Sequence, residues 1–178
     1  MTDWAKAANP TAVITTEADA VAAARASAIA IFLGAAWGLI GVIYMLTAGQ
    51  AAMDAAVAQA SAGTPEMAGA IGQFALWTGV GLCVIQLVIG LFQWAKPNIV
   101  IPIIFVILVG FGLIMGVFGL LAASAMPEVA EANAATPAWQ TWIGMVLLIV
   151  QLVLHIAGIR GASKLDKLRN AEANTWDE

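Results

Sequence analysis

Long apolar blocks alternate with short polar breaks along this chain, and the breaks define the elements. Four blocks, at about 26–48, 68–95, 99–125 and 138–159, are long enough to cross a bilayer, for which roughly 20 residues suffice. Each is predicted to be a transmembrane helix, so the fold class is all-α and polytopic, in a single membrane domain. Residues 1–15 contain Asn9-Pro10 and no periodic pattern, and read as an irregular tail. Thr16 followed by Glu17 and Asp19 marks a helix start, a capping hydroxyl with acids in the first turn. That helix runs on through Arg25 into the first span. Residues 49–63 stay rich in alanine and predict a helical extension outside the bilayer, ended by Gly63.

Thr64-Pro65-Glu66 starts the second span, and Thr136-Pro137 starts the fourth in the same way. Lys96-Pro97-Asn98 makes a tight turn, because Pro97 cannot extend the preceding helix. Pro102 falls in the first turn of the third span, where its missing N–H does little harm. Residues 127–135 form a short acidic connection. The segment 160–178 runs from basic to acidic, with Leu165 and Leu168 spaced as on a surface helix.

The apolar pattern repeats. Trp77-x-Gly79-x-x-Leu82-x-Val84-Ile85-Gln86-Leu87-Val88 returns 65 positions later as Trp142-x-Gly144-x-x-Leu147-x-Ile149-Val150-Gln151-Leu152-Val153. In the first and third spans Gly34-xxx-Gly38-xx-Gly41 matches Gly112-xxx-Gly116-xx-Gly119. Aligning Gly38-Leu39-Ile40 with Gly112-Leu113-Ile114 instead shifts the register by about one helical turn. The expected unit is a duplicated two-helix hairpin, a parallel repeat with its axis along the membrane normal. Its six glycines are expected to serve helix packing.

Composition agrees with the pattern. Hydrophobic residues make up 62% and charged residues 10%, far from the soluble average. The abundance of alanine and glycine fits close helix packing and equally a GC-rich bacterial genome. Every Lys and Arg falls on one side of the four spans: Lys6, Arg25, Lys96, Arg160, Lys164, Lys167 and Arg169. The positive-inside rule makes that side cytoplasmic, so both termini are expected inside and the chain in a cell inner membrane. Asp54, Glu66, Glu128 and Glu131 fall on the other side and account for the net charge of −4. The first 25 residues carry three acids, unlike a basic signal-peptide n-region, so the first span is expected to be retained. Tyr44, Trp77, Trp139 and Trp142 fall near the outer interface and Trp94 near the inner one, whereas Trp37 lies deeper and reads as packing.

The candidate chemistry is a polar stripe. On the second span Gly79, Cys83, Gln86, Gly90 and Gln93 share one helical face. The equivalents on the fourth are Gly144, Leu148, Gln151, His155 and Gly158. If the stripes face each other, His155 fills the gap at Gly90 and Gln93 the gap at Gly158. Gln86, Gln93, Gln151 and His155 are then either an interhelical hydrogen-bond cluster or the lining of a path for an uncharged solute.

Buried amides must pair whatever the function, which favours the structural choice. None of the four spans holds Asp, Glu, Lys or Arg, the groups on which proton-coupled pumps rely. No Ser lies at a depth that obviously pairs with His155 as a nucleophile would. No second His completes a bis-His haem site, and Cys83 is the single cysteine. No catalytic, cofactor or metal residue is therefore assigned, and an enzyme is not expected.

The expected function is a structural or accessory integral membrane protein packing within a larger bacterial inner-membrane assembly. The alternative is a small oligomeric channel or facilitator lined by the three glutamines and His155. The expected partners are the lipid bilayer and other membrane proteins or further copies of the chain, with no nucleic acid. Arg160, Lys164, Lys167 and Arg169 are candidates for holding anionic lipid. The acidic outer side is a further candidate surface for a basic partner.

Overall fold

The computed structural model describes residues 3–47, 49–50, 54, 68–127, 129–130 and 136–174. Among these residues five helices are described: α1 (Trp4–Ala8), α2 (Glu17–Leu46), α3 (Ala68–Ala95), α4 (Val100–Ala125) and α5 (Ala138–Asn174). Among the described residues, α2 to α5 are the four helices long and apolar enough to cross a membrane. They suit a multi-pass membrane protein.

The helix ends follow from local chemistry. Thr16 is extended, and its hydroxyl accepts from the Asp19 amide at 3.1 Å, closing the first turn of α2. Thr47 ends that helix, its hydroxyl donating to the Ile43 carbonyl at 2.8 Å. Between α3 and α4 the expected turn forms at Lys96-Pro97-Asn98. The Asn98 side chain adds a cap that the sequence reading missed: its Oδ1 accepts from the Val100 and Ile101 amides, each at 3.0 Å. Pro102 is buried in the first turn of α4, where its nitrogen is one of the four without an intrahelical partner. The Ala-rich stretch expected to be helical at 49–63, and the helix start at Thr64-Pro65, fall almost wholly outside the described residues.

One expectation changes. Residues 1–15 are not irregular throughout, because α1 forms at Trp4–Ala8 with Asp3 capping the Lys6 amide at 3.0 Å. Five residues cannot hold a helix alone. Tertiary contacts supply the rest: Trp4 stacks on Trp94 with ring centroids 5.8 Å apart, and the Lys6 ammonium donates to Asp19 at 2.7 Å. That bond holds the Asp19 carboxyl at about 2, below its ordinary 3.8, seven residues ahead of Ala26. The apolar part of the fourth block ends at Ile159, but its helix runs on without a break through Arg160 to Asn174. No proline interrupts it, and its continuation is held against α2.

Contacts in register give the topology. Down the α2–α3 pair, Arg25 meets Trp94, Gly34 meets Gln86, Gly38 meets Cys83 and Val42 meets Gly79. Down the α2–α5 pair, Ala24 meets Gly161, Ser27 meets His155, and Trp37 meets Gly144. Down α4–α5, Phe105 meets His155, Gly112 meets Leu148 and Gly116 meets Met145. All three pairs are antiparallel. α2 is therefore central, flanked by α3 and α5, with α4 on the other side of α5. α3 and α4 share a short turn yet barely touch along their lengths, so the four-helix arrangement closes on three sides only. These pairings also bring all seven Lys and Arg to one end.

The core sits toward that basic end. Every buried residue of α2 lies between Ala20 and Ala35. The central cluster is Ala26, Ala30, Leu154 and Ala157. Here α5 comes closest to α2. A Cβ on Gly161 would overlap the Ala24 backbone nitrogen, and one on Gly158 would lie 2.5 Å from Ser27 Cβ. Small residues on both helices permit that approach, which is how helices gain packing contact in lipid.

Gly161→Ala should lower unfolding stability in detergent by at least about 1–3 kcal/mol, the usual cost of overpacking. A Cβ at Gly81 meets nothing within 4 Å, so Gly81→Ala should leave the midpoint unchanged or slightly raised. Denaturation titrations of both variants check the pair.

Candidate functional site

The size-exchanged positions of α3 and α5 do not face each other, because both stripes pack against α2. The gap at Gly90 is filled by the Phe32 ring of α2, 2.5 Å from where a Cβ would sit, and not by His155. The gap at Gly158 is filled by Ser27 of α2, and not by Gln93. Both exchanges of size are real features of the sequence, but each is complementary to the first span.

Gln86 and Gln151 do come together, on the α2 surface at Gly34. Built on Gly34, a Cβ would lie 3.1 Å from Gln86 Oε1 and 3.3 Å from Gln151 Oε1. The missing side chain at Gly34 makes room for two amides at one depth. Gln151 is 7% exposed and Gln86 half-buried. Among the described residues neither amide has a hydrogen-bond partner within the chain. α3 and α5 bring them onto α2 from two sides. The side of the pair away from α2 is the one on which α3 and α4 stand apart.

Gln93 is occupied elsewhere. Fully buried, it donates from Nε2 to the Asn98 carbonyl at 3.0 Å and accepts from the Asn98 amide at 3.3 Å. A longer contact of 3.5 Å reaches the Ala24 carbonyl. Its amide thus satisfies both backbone groups of Asn98 and ties the α3–α4 turn to α2. Beside it, the Arg25 guanidinium lies 5.1 Å from the Trp94 ring centroid and its Nε donates to the Trp94 carbonyl at 3.1 Å.

His155 is fully buried too. Its Nδ1 lies 2.8 Å from Ser27 Oγ, and its ring stacks on Phe105 with centroids 5.2 Å apart. A serine therefore does lie at the depth of His155, against the expectation from sequence. The signal missed was topological: residue 27 near the start of the first span and residue 155 near the end of the fourth share one depth. Whichever tautomer the ring adopts, Nε2 is buried without a hydrogen-bond partner. Ser27 and His155 are both sealed from solvent at 0% exposure, so the pair as it stands has no open face toward a substrate.

The remaining candidates serve packing. Gly38 faces Cys83 Sγ, Gly41 faces Gln140, Gly112 faces Leu148 and Gly116 faces Met145, while Gly119 meets nothing within 4 Å. Trp37 packs edge-on against Trp139 with centroids 6.2 Å apart, and Tyr44 against the same ring at 6.1 Å. Gly161 and the alanine face of α2, which make the tightest crossing, were not singled out from sequence. Their three-and-four spacing from Ala20 through Ala23, Ala24, Ser27 and Ala30 was the available signal. Among the described residues, no group of three or more His, Cys, Asp or Glu could hold a metal ion. No family model matches the sequence, and neither a curated protein nor a solved structure is similar to it.

Gln93→Leu strands both backbone groups of Asn98 and should cost about 1–2 kcal/mol of stability, the range for a polar contact in a membrane protein. Gln86→Leu removes an amide with no partner among the described residues and should cost far less. Unfolding midpoints measured side by side in one detergent check this order.

Proposed function

We propose that the chain is a structural, accessory integral membrane protein that packs within a larger assembly and receives a partner's transmembrane helix along its open side. The observation that carries this reading is the unclosed seam between α3 and α4, behind which Gln86 and Gln151 have no partner among the described residues. An amide at mid-depth in lipid is stabilised by a donor or acceptor from a neighbouring helix. A partner helix lying in the seam would supply one, and would cover the exposed faces of α3 and α4.

The repeat supports the same reading. If the two hairpins are duplicates, the α4–α3 seam is the counterpart of the tight α2–α5 crossing. At the offset of the glutamine repeat, Gln93 of α3 and Lys96 of the turn after it correspond to Gly158 and Gly161 of α5. The glycines that let α5 approach α2 so closely thus have no glycine counterpart on the α3 side of the α4–α3 pair. Duplication would then have left one interface available to another protein.

The seven Lys and Arg gathered at one end support a cytoplasmic assignment for that end and for both termini. The Ala- and Gly-rich composition suits a bacterial inner membrane. A facilitator path through Gln86, Gln93, Gln151 and His155 is less well supported, since Gln93 and His155 are engaged in local contacts and fully buried.

Native mass spectrometry after mild-detergent purification from native membranes tests the proposal. The expected result is a stoichiometric complex with another membrane protein, dispersed by Gln86→Leu/Gln151→Leu while the chain itself stays folded. A homo-oligomer whose liposome solute flux vanishes in the same double variant would overturn it in favour of the facilitator.

A further inference from the structure

We propose that the basic end of α5 carries a binding site for the headgroup of an anionic phospholipid. Arg160, Ser163, Lys164 and Lys167 follow helical three-and-four spacing and line one side of a cavity of about 500 Å³. Apolar walls complete it, with Val13 from the N-terminal segment and Ile99 beside the α3–α4 turn. One cavity thus joins three cations and a hydroxyl to an aliphatic surface.

Among the described residues the cations there have no carboxylate partner. Elsewhere, Lys6 pairs with Asp19 at 2.7 Å and Arg169 with Glu17 at 3.0 Å. Arg169, grouped with the others on sequence grounds, is therefore committed to a carboxylate. Among the described residues no carboxylate lines the cavity or lies within ion-pair distance of Lys164 or Lys167. Arg160 donates from Nη2 to the Ala12 carbonyl at 3.3 Å, which holds the N-terminal segment as a wall and leaves further donors of its five free. Like charges gathered without a counter-charge favour an anion.

The site's depth and its walls narrow the class of anion. Arg160 directly follows Ile159, where the apolar part of α5 ends, so the cavity lies where a bilayer's headgroups meet its chains. Phosphate oxygens of a headgroup accept from the two ammonium groups and the Ser163 hydroxyl, and the acyl chains pass along the aliphatic side. A free phosphate would use the cations and leave the apolar walls wet. The inference rests on the membrane reading above but needs no partner protein.

The test is native mass spectrometry of the purified full-length chain titrated with phosphatidylglycerol, phosphatidylcholine or inorganic phosphate. The chain should retain one phosphatidylglycerol in preference to phosphatidylcholine. Lys164→Gln/Lys167→Gln should weaken that binding about 25-fold, taking about fivefold for each cation near an anionic surface. Lys164→Arg/Lys167→Arg should restore it, and Arg169→Gln should leave it unchanged. Equal retention of both lipids, undiminished binding in the Gln double variant, or displacement of the lipid by millimolar phosphate would each overturn the proposal. Carbonate extraction of the same variants from membranes separates loss of this site from failure of the membrane reading, because only the latter releases the chain.

Discussion

The arrangement depends on the backbone-to-backbone contact between α2 and α5. Lipid tails are as apolar as the side chains they touch, so helices gain little from burying leucine against leucine and much from close packing. Gly158 and Gly161 on one helix and Ala23, Ala24 and Ser27 on the other let the two approach until a single methyl would not fit. That contact makes α2 the central helix. It brings His155 onto Ser27 and Gln151 onto Gly34, and it extends α5 past the apolar block.

Polar groups divide according to their distance from this crossing. Near the basic end several are tied: Gln93 to the turn, Arg25 to Trp94, Lys6 to Asp19, Arg169 to Glu17. At mid-depth Gln86 and Gln151 are brought together but not paired off, and that is where α3 and α4 fail to close. A polar pair beside an open seam has the chemistry of an unfinished interface. A closed lumen would instead require the four polar side chains to share a continuous surface, and two of them are fully enclosed.

Much of the helix content was legible because apolar length and caps are local properties. Thr16, the Lys96-Pro97-Asn98 turn and the end of α3 at Ala95 fall where residue chemistry puts them. α1 was not legible, since its five residues are held by Trp94 and Asp19, far along the chain. Neighbour choice was only half legible. Two matching stripes suggested that α3 and α5 face each other, yet both stripes are complementary to α2, whose alanines carry no polar signal. The pairing of Gln86 with Gln151 at Gly34 survives that change, because equal depth was correct even though the facing was not. The Ser27–His155 contact required the order of helices, which spacing along one chain does not contain.

α2 is packed on both sides while α3 and α4 stand apart. Spin labels on the purified chain in lipid nanodiscs, in a Cys83→Ser background, measure this directly. Val88 on α3 and Ile107 on α4 are both exposed and lie about equally far from Pro97, and Val153 of α5 is at the same depth as Ile107. Double electron–electron resonance should give a longer distance for Val88→Cys/Ile107→Cys than for Ile107→Cys/Val153→Cys. An α3–α4 distance equal to or shorter than that of the packed α4–α5 pair would contradict the open seam and the account built on it.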